Sequence, residues 1–89
     1  MHFVYFAKNQ IGHLYVGISQ NVEQRLYTHN AGHGALFTRG NLEFKIVFLE
    51  EYNTLKEART REVQIKKWRR DKKDLLIQRF KQGLLIKQS

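Results

Sequence analysis

The chain has 89 residues, a formal net charge of +8 and no cysteine. This length suits one small domain, residues 1–89, and the lack of cysteine excludes disulfide bonds and thiolate zinc sites. The longest aliphatic and aromatic run, residues 46–49, is far too short to span a membrane. Lys8 interrupts the N-terminus where a signal peptide would be apolar. We therefore expect a soluble, cytoplasmic protein with no membrane partner.

The positive charge is concentrated in the second half of the chain. Residues 1–53 include four basic and four acidic residues, whereas residues 54–89 include twelve basic and four acidic residues. A one-sided basic surface is typical of proteins that bind a phosphate backbone. A lysine-rich, solvated helix gives the same counts, so charge alone favours a nucleic-acid partner only modestly.

Two short alternating segments near the N-terminus predict a β-hairpin. Residues 2–7 and 13–18 are rich in aromatic and β-branched side chains, which favour strands, and turn residues lie between them. With the turn centred near Gln10, Tyr5 would pair directly with Tyr15, and both rings would project from one face. The opposite face of the second strand would carry Leu14, Val16 and Ile18. Apolar side chains on both faces indicate a sheet covered by helices.

The next helix carries two polar residues where an amphipathic helix has apolar ones. Asn21 is the predicted N-cap, with Gln24 as its capping-box partner, and the helix spans residues 22 to about 29. Its inward stripe consists of Val22, Arg25, Leu26 and His29. Since breaks in a local rule are expected at functional sites, Arg25 and His29 are candidate functional residues.

A glycine-rich loop, residues 31–40, precedes the third strand. Thr38 and Arg39 in this loop could reach phosphate oxygens of a nucleic acid, although a plain surface connection has the same composition. The third strand is predicted over residues 42–51, with Phe44, Ile46 and Phe48 on one side. Because this segment is almost continuously hydrophobic, we expect it to be a central strand buried on both faces.

The second helix places a carboxylate within its apolar stripe. Thr54 and Glu57 form a predicted capping box, and the stripe consists of Leu55, Ala58, Glu62 and Ile65. Because an unpaired buried charge is strongly destabilising, Glu62 needs a partner. One alternative is a structural ion pair with Arg25 or a neighbouring residue, and the other is a metal ion or an acid–base role. The pattern divides these alternatives evenly.

A third helix completes the predicted order ββα-β-αα. Asp71 is its expected N-cap, the helix extends through Phe80, and Gly83 ends it. Its expected packing face consists of Leu75, Leu76, Arg79 and Phe80.

The polar residues expected to face inward suit the hydrolysis of a phosphodiester bond. They are Tyr5, Tyr15, Arg25, His29 and Glu62. That reaction needs an activated oxygen nucleophile, a cation for the developing negative charge and help for the leaving oxygen. Glu62 could hold one Mg²⁺ or Mn²⁺, Arg25 could grip a phosphate oxygen, and a tyrosine or His29 could transfer the proton. A free tyrosine, with a pKa near 10, is a poor base unless nearby cations lower that pKa.

These residues resemble the signature of the GIY-YIG endonuclease superfamily. The resemblance rests on Phe3-Val4-Tyr5, Tyr15-Val16-Gly17, Arg25 with His29 four residues later, and Glu62 within residues 61–68. It covers roughly residues 3–77 and is closest to small stand-alone members related to the nuclease domain of excinuclease. Phe3 and Val4 replace the family's glycine and isoleucine, Ile18 and Leu36 lie where relatives carry lysine, and Asp74 lies near a position that is asparagine in some members.

The resemblance implies an α+β fold, with a three-stranded antiparallel sheet flanked by helices, and single-metal cleavage of DNA. By resemblance, Tyr5 and Tyr15 bind or activate the attacking water, and Arg25 stabilises the phosphate. Glu62 holds the metal, His29 assists proton transfer, and Gly17 leaves room for nucleic-acid backbone beside the site.

Three hypotheses follow from the sequence. The first is a metal-dependent DNA endonuclease acting on branched or damaged DNA in repair or recombination. The second is a non-catalytic or weakly catalytic nucleic-acid-binding module whose contacts are Lys66, Lys67, Arg69, Arg70, Lys72 and Lys73. The third is structural, with Glu62 and Arg25 as a buried ion pair. The sequence favours the first and leaves RNA, a protein partner and the oligomeric state open.

Overall fold

The computed structural model describes residues 1–32 and 43–83. Its strands are β1 (His2–Lys8), β2 (Leu14–Ser19) and β3 (Lys45–Tyr52). Its helices are α1 (Val22–Gly32), α2 (Leu55–Lys66) and α3 (Arg70–Lys81). The element order and the antiparallel pairing confirm the expected α+β fold. No helix within these described ranges is long and apolar enough to cross a membrane.

The central strand is β1, so the prediction that the third strand would be central is wrong. The strand order is β2-β1-β3, and the four residues from Val4 to Ala7 are each at most 2 % exposed. Leu49 of β3, by contrast, is 36 % exposed. The continuous hydrophobicity of β3 instead accompanies a bulge that turns its side chains to both faces.

This bulge lies where β3 pairs with β1. Phe6 pairs with Phe48 and the next residue, Ala7, pairs with Ile46, so one β3 residue is extra. Phe48 therefore shares the face of Phe6, while Phe44 and Ile46 pack on the face of Ala7. The predicted placement of Phe44, Ile46 and Phe48 on one side is wrong for this reason.

The hairpin register differs by two residues from the predicted one. Tyr5 pairs with Gly17, and Tyr15 pairs with Ala7. The connection is longer than expected, because the Asn9 N–H donates to the carbonyl of His13 (3.2 Å) while the Asn9 side chain accepts from the His13 N–H (2.9 Å). Gly12 provides the positive φ of 95° that this turn needs. Since side chains alternate with a period of two, both tyrosines still project from one face, as predicted.

Helices cover the sheet on both sides. On one face, Val4, Phe6 and Val16 pack with Ala58 and Ile65 of α2 and with Leu76 and Ile77 of α3. On the other face, Tyr5 and Ala7 pack with Val22 and Leu26 of α1. Leu14 and Ile18 lie on the α2–α3 side, as expected. We call the face that carries Tyr5 and Tyr15 the tyrosine face.

Side-chain caps begin α1 and α2. Asn21 accepts a hydrogen bond from the Gln24 N–H (3.1 Å), whereas its own N–H donates to the Ser19 hydroxyl rather than to Gln24. The predicted capping box of Thr54 and Glu57 is present in full. Each cap satisfies helix N–H groups that lack an intrahelical partner.

The ends and the packing of α3 differ in part from the prediction. Arg69 is its N-cap residue and Asp71 lies within the first turn, so the predicted Asp71 cap is wrong. Its buried residues are Leu76 and Ile77, whereas Leu75 and Phe80 are 47 % and 39 % exposed. The packing face is therefore rotated by about one residue from the predicted one. Gly83, with φ of 75°, follows the helix end as expected.

Candidate active site

The two signature tyrosines lie side by side on the tyrosine face. Tyr5 is 2 % exposed and Tyr15 is half-buried, and their ring centroids are 6.0 Å apart. Tyr5 extends across the ladder over Gly17 of the edge strand β2. A Cβ atom on Gly17 would lie 2.9 Å from the Tyr5 hydroxyl oxygen and 2.9 Å from Cε2 of Tyr15. Two tyrosines thus fill the space that a side chain would occupy, and contact of Gly17 with nucleic acid stays a prediction.

Arg25 reaches this tyrosine pair from α1. Hydrogen bonds with the hydroxyls of Tyr15 and Tyr5 raise the pKa of its guanidinium, so the cation lies beside both hydroxyls. Arg25 is nevertheless an exposed residue, and its predicted place on an inward face is wrong in that respect. An exposed, fixed cation beside two hydroxyls can meet an incoming phosphate without first being uncovered.

Tyr5 keeps its proton at neutral pH. Burial raises the pKa of Tyr5 above its usual value of 10.0, interaction with Tyr15 raises it further, and Arg25 opposes both. The condition for a tyrosine base, a pKa lowered by neighbouring cations, is therefore not met by Arg25 alone. In this state the phenol can donate a hydrogen bond to a water molecule or to a phosphate oxygen.

His29 lies on the other side of Tyr15 from Tyr5 in the same aromatic group. Its ring stacks on Tyr15 with centroids 5.0 Å apart and meets the Phe44 ring edge-on at 4.8 Å. The structure therefore brings Tyr5, Tyr15, Arg25 and His29 together, as the sequence predicted. Thr38 and Arg39 lie outside the described residues.

Asn30 fixes this end of the group and was missed by the sequence reasoning. Its side-chain amide donates to the Phe44 carbonyl (3.2 Å), and its side-chain oxygen accepts from the Phe44 N–H (2.9 Å). The two bonds fasten the end of α1 to the residue just before β3, and so hold His29 between Tyr15 and Phe44. An asparagine near a glycine-rich segment carries no signal of a partner fourteen residues away.

Glu62 comes from α2, which packs on the face opposite the tyrosines. Its side chain is 14 % exposed, and its carboxylate lies 3.2 Å from the ammonium nitrogen of Lys66, one turn later. The ion pair that the structure shows is therefore with a neighbouring residue, Lys66. The four other predicted site residues meet on the tyrosine face, and Glu62 approaches from the other layer of the fold.

The donor set restricts the kind of metal that this chain could hold. Among the described residues, no three His, Asp or Glu side chains cluster as metal ligands would. A single carboxylate such as Glu62 still fits Mg²⁺ or Mn²⁺, because magnesium keeps several waters and takes other oxygens from substrate phosphates. The site therefore suits a metal bound mainly by water and substrate.

The most deeply buried carboxylate is Glu50, which the sequence analysis did not single out. Its side chain is 2 % exposed, accepts from Arg61 at 2.9 and 3.3 Å and accepts from the Tyr52 hydroxyl at 2.7 Å. Burial, followed by the bond to Glu50, raises the pKa of Tyr52. These bonds fasten β3 to α2, away from the tyrosine face. The available signal was that Glu50 alternates with Phe48 along the strand.

The predicted basic contacts lie along α2, α3 and their connection. Lys73 is half-buried, and the exposed ones are Lys66, Lys67, Arg69, Arg70 and Lys72. Arg69 lies 3.6 Å from Asp71, and Arg70 lies 3.0 Å from Asp74. Both pairs are well exposed, and such pairs contribute little to stability, so these cations are available to an anionic partner.

Comparison with known proteins places this geometry in a family. Residues 1–74 match the family model described as the GIY-YIG catalytic domain. A UPF0213 protein of Bacillus pumilus is 38 % identical over 80 residues, covering 90 % of this chain and 82 % of the relative. A UPF0213 protein of Clostridium perfringens is 42 % identical over 77 residues, covering 86 % and 83 %.

A solved structure agrees with the family match. The solution NMR structure of a UPF0213 protein from Bacillus halodurans is similar to this fold, with a TM-score of 0.56 and 32 % sequence identity. The match covers 86 % of this chain and 82 % of that one. This chain belongs to the GIY-YIG catalytic domain family, and its domain is nuclease-like.

Proposed function

We propose that this protein is a metal-dependent DNA endonuclease that hydrolyses phosphodiester bonds by attack of water. The observation that carries the proposal is the meeting of two tyrosine hydroxyls and an exposed guanidinium above Gly17. Hydroxyls that position a nucleophile beside a fixed cation are what the pentacoordinate transition state of phosphodiester hydrolysis requires.

Each residue of the group has a distinct proposed role. Arg25 grips a non-bridging phosphate oxygen and stabilises the charge that grows on it. Tyr5, which stays protonated, positions the attacking water by hydrogen bonding. Tyr15 or His29, whose rings are stacked at 5.0 Å, accepts the proton of that water.

Glu62 is the proposed protein ligand for one Mg²⁺ or Mn²⁺ per site. A bound ion of this kind supplies charge neutralisation at the leaving oxygen and a more acidic water. Because β2 is an edge strand and α2 packs against both β1 and β2, Glu62 can serve the tyrosine face around the free edge of β2. Lys66 would then be released from the carboxylate and become available to DNA.

The proposed substrate is branched or damaged DNA, recognised by shape in repair or recombination. The support is compositional: the cations of α2 and α3 suit a phosphate backbone of any sequence. We test the proposal with labelled single-stranded, duplex, branched and damaged DNA in Mg²⁺, Mn²⁺ or EDTA. Metal-dependent nicking of at least one DNA supports it, and RNA included in the panel tests the choice of nucleic acid. Intact DNA under every metal condition contradicts it.

The second candidate function is a nucleic-acid-binding module with little or no catalysis. The ion pair of Glu62 with Lys66 favours it, because a carboxylate already neutralised by lysine has a structural reason to be there. This candidate predicts salt-dependent DNA binding that is the same in wild type and in Glu62→Gln, with no cleavage by either protein.

A further inference from the structure

A cationic cleft lies at the connection between α2 and α3, outside the tyrosine face. It measures about 500 Å³ and is lined by Lys67, Trp68, Arg69, Asp71, Lys72 and Leu75. The Trp68 N–H donates to the Ile65 carbonyl (2.9 Å), and Arg69 is the N-cap residue of α3. Both walls are thus anchored on helices, and we call this feature the Trp68 cleft.

The charge of the Trp68 cleft is mainly positive. Its single acid, Asp71, pairs with Arg69 at 3.6 Å, with both side chains more than 70 % exposed. Within the described part of the chain, neither Lys67 nor Lys72 lies within ion-pair distance of an acidic group. Two exposed ammonium groups on flexible stems are therefore free to contact successive phosphates.

An aromatic ring and an exposed aliphatic side chain lie among these cations. Trp68 is half-buried against the core, and the Lys72 ammonium nitrogen lies 4.2 Å from the centre of its ring. Leu75, beside it, is 47 % exposed. Grooves that bind single-stranded nucleic acid combine these elements: cations for the backbone and an aromatic face on which a base stacks. Lys72 can leave the ring for a phosphate and so uncover the indole.

We propose that the Trp68 cleft binds a short stretch of single-stranded nucleic acid, with a base stacked on Trp68 and phosphates on Lys67 and Lys72. The cleft belongs to the layer of α2 and α3, while Tyr5 and Tyr15 lie on the other face of the sheet. One straight duplex cannot lie flat on both surfaces. A nucleic acid with a flexible single-stranded arm can engage both, with the arm in the cleft and the cleaved strand at the tyrosines.

This role for the arm rests on the proposed nuclease function, whereas the binding site itself does not. Trp68 is the only tryptophan of the chain, so its fluorescence reports contact with a base directly. The first experiment titrates the full chain with a thymidine oligonucleotide in low salt without divalent metal. We expect quenching of Trp68 fluorescence that weakens as salt rises.

Matched variants separate the cleft from general positive charge. Lys67→Gln/Lys72→Gln should weaken binding about tenfold or more, whereas Lys56→Gln/Lys81→Gln removes two exposed charges elsewhere on the helices and should change it far less. Trp68→Leu, followed by anisotropy of a labelled oligonucleotide, should lose roughly 5- to 150-fold in affinity. Thermal melting shows which variants are folded, and the double lysine variant tests the site even if Trp68→Leu does not fold.

Two outcomes overturn the proposal. One is binding without any change in Trp68 fluorescence, and the other is equal loss of affinity in the two double lysine variants. The nuclease function is judged separately, by cleavage of duplex DNA with and without a single-stranded arm. Quenching without cleavage keeps the cleft and overturns the nuclease. Cleavage that ignores the arm, with no quenching, keeps the nuclease and overturns the cleft.

Discussion

Tyr5 and Gly17 face each other across the β1–β2 ladder, and a Cβ atom on Gly17 would lie 2.9 Å from the Tyr5 hydroxyl oxygen. The glycine thus allows a buried phenol to extend to the edge of the sheet, where Arg25 meets it. The sequence motif that contains Gly17 has a steric reason in this fold, independent of any ligand.

Gly17→Ala should displace the tyrosine pair. The new methyl group would press on Cζ of Tyr5 (3.0 Å) as well as on both 2.9 Å contacts, and Tyr5 is too buried to move freely. We expect a loss of about 1–3 kcal/mol in the free energy of unfolding, measured by urea denaturation. In a Tyr5→Phe background the same substitution should be less destabilising, because one close contact is gone. An equal penalty in both backgrounds would contradict the steric account.

Asn30→Ala should loosen the end of α1. It removes two hydrogen bonds and leaves the N–H and C=O of Phe44 without these partners, which should lower the unfolding free energy by about 1–3 kcal/mol. Thr28→Ala, at an exposed position of the same helix, is the control and should change stability by at most about 0.5 kcal/mol. Similar values for the two variants would show that the Asn30 bonds contribute little.

Arg61→Met should be far more destabilising than Arg70→Met. Arg61 neutralises Glu50, whose side chain is 2 % exposed, whereas Arg70 and Asp74 form a pair that is 46 % and 49 % exposed. Removing one partner of a buried pair costs about 3–5 kcal/mol, and an exposed pair contributes at most about 1 kcal/mol. Thermal and urea denaturation of the two variants measure the difference. A smaller loss for Arg61→Met than for Arg70→Met would refute the assigned burial.

Stability should fall at alkaline pH partly through Tyr5. Its pKa is raised in the folded protein, first by burial, so the folded state holds this proton more tightly than the unfolded state. The corresponding stabilisation is complete below a pH of about 10 and is lost as the pH rises through the folded pKa.

The check is to compare urea midpoints at neutral and strongly alkaline pH. Tyr5→Phe should decline less steeply than the wild type, because a phenylalanine has no proton to lose. Tyr27→Phe, at a position 75 % exposed, serves as the control and should follow the wild type. Parallel curves for all three proteins would argue against the raised pKa of Tyr5.

Local sequence patterns predicted the order of elements and most of the residues on the tyrosine face. Tyr5 and Tyr15 share a face in either register, because a shift of two residues preserves the side of the sheet. Arg25 and His29 follow from helical spacing within one turn. These are short-range relationships, which a sequence displays directly.

Pairings between distant segments could not be read in the same way. The bulge that separates Ile46 from Phe48 has no local signal, and it also hid which strand is central. Likewise, the partners of Glu50 and Asn30 lie on other elements. Glu62 was expected to face the tyrosines, because helical periodicity reveals an inward side but not which face of the sheet that side contacts.

The most direct test compares DNA cleavage and DNA binding in the same set of proteins. Wild type, Arg25→Lys and Glu62→Gln are assayed with Mg²⁺ or Mn²⁺ on the best-cleaved DNA, and Glu43→Gln, at an exposed position, is the control. The account predicts that wild type and Glu43→Gln nick the DNA, while the other two bind it with similar affinity and fall to background cleavage. Undiminished cleavage by Arg25→Lys and Glu62→Gln would contradict the assignment of the active site.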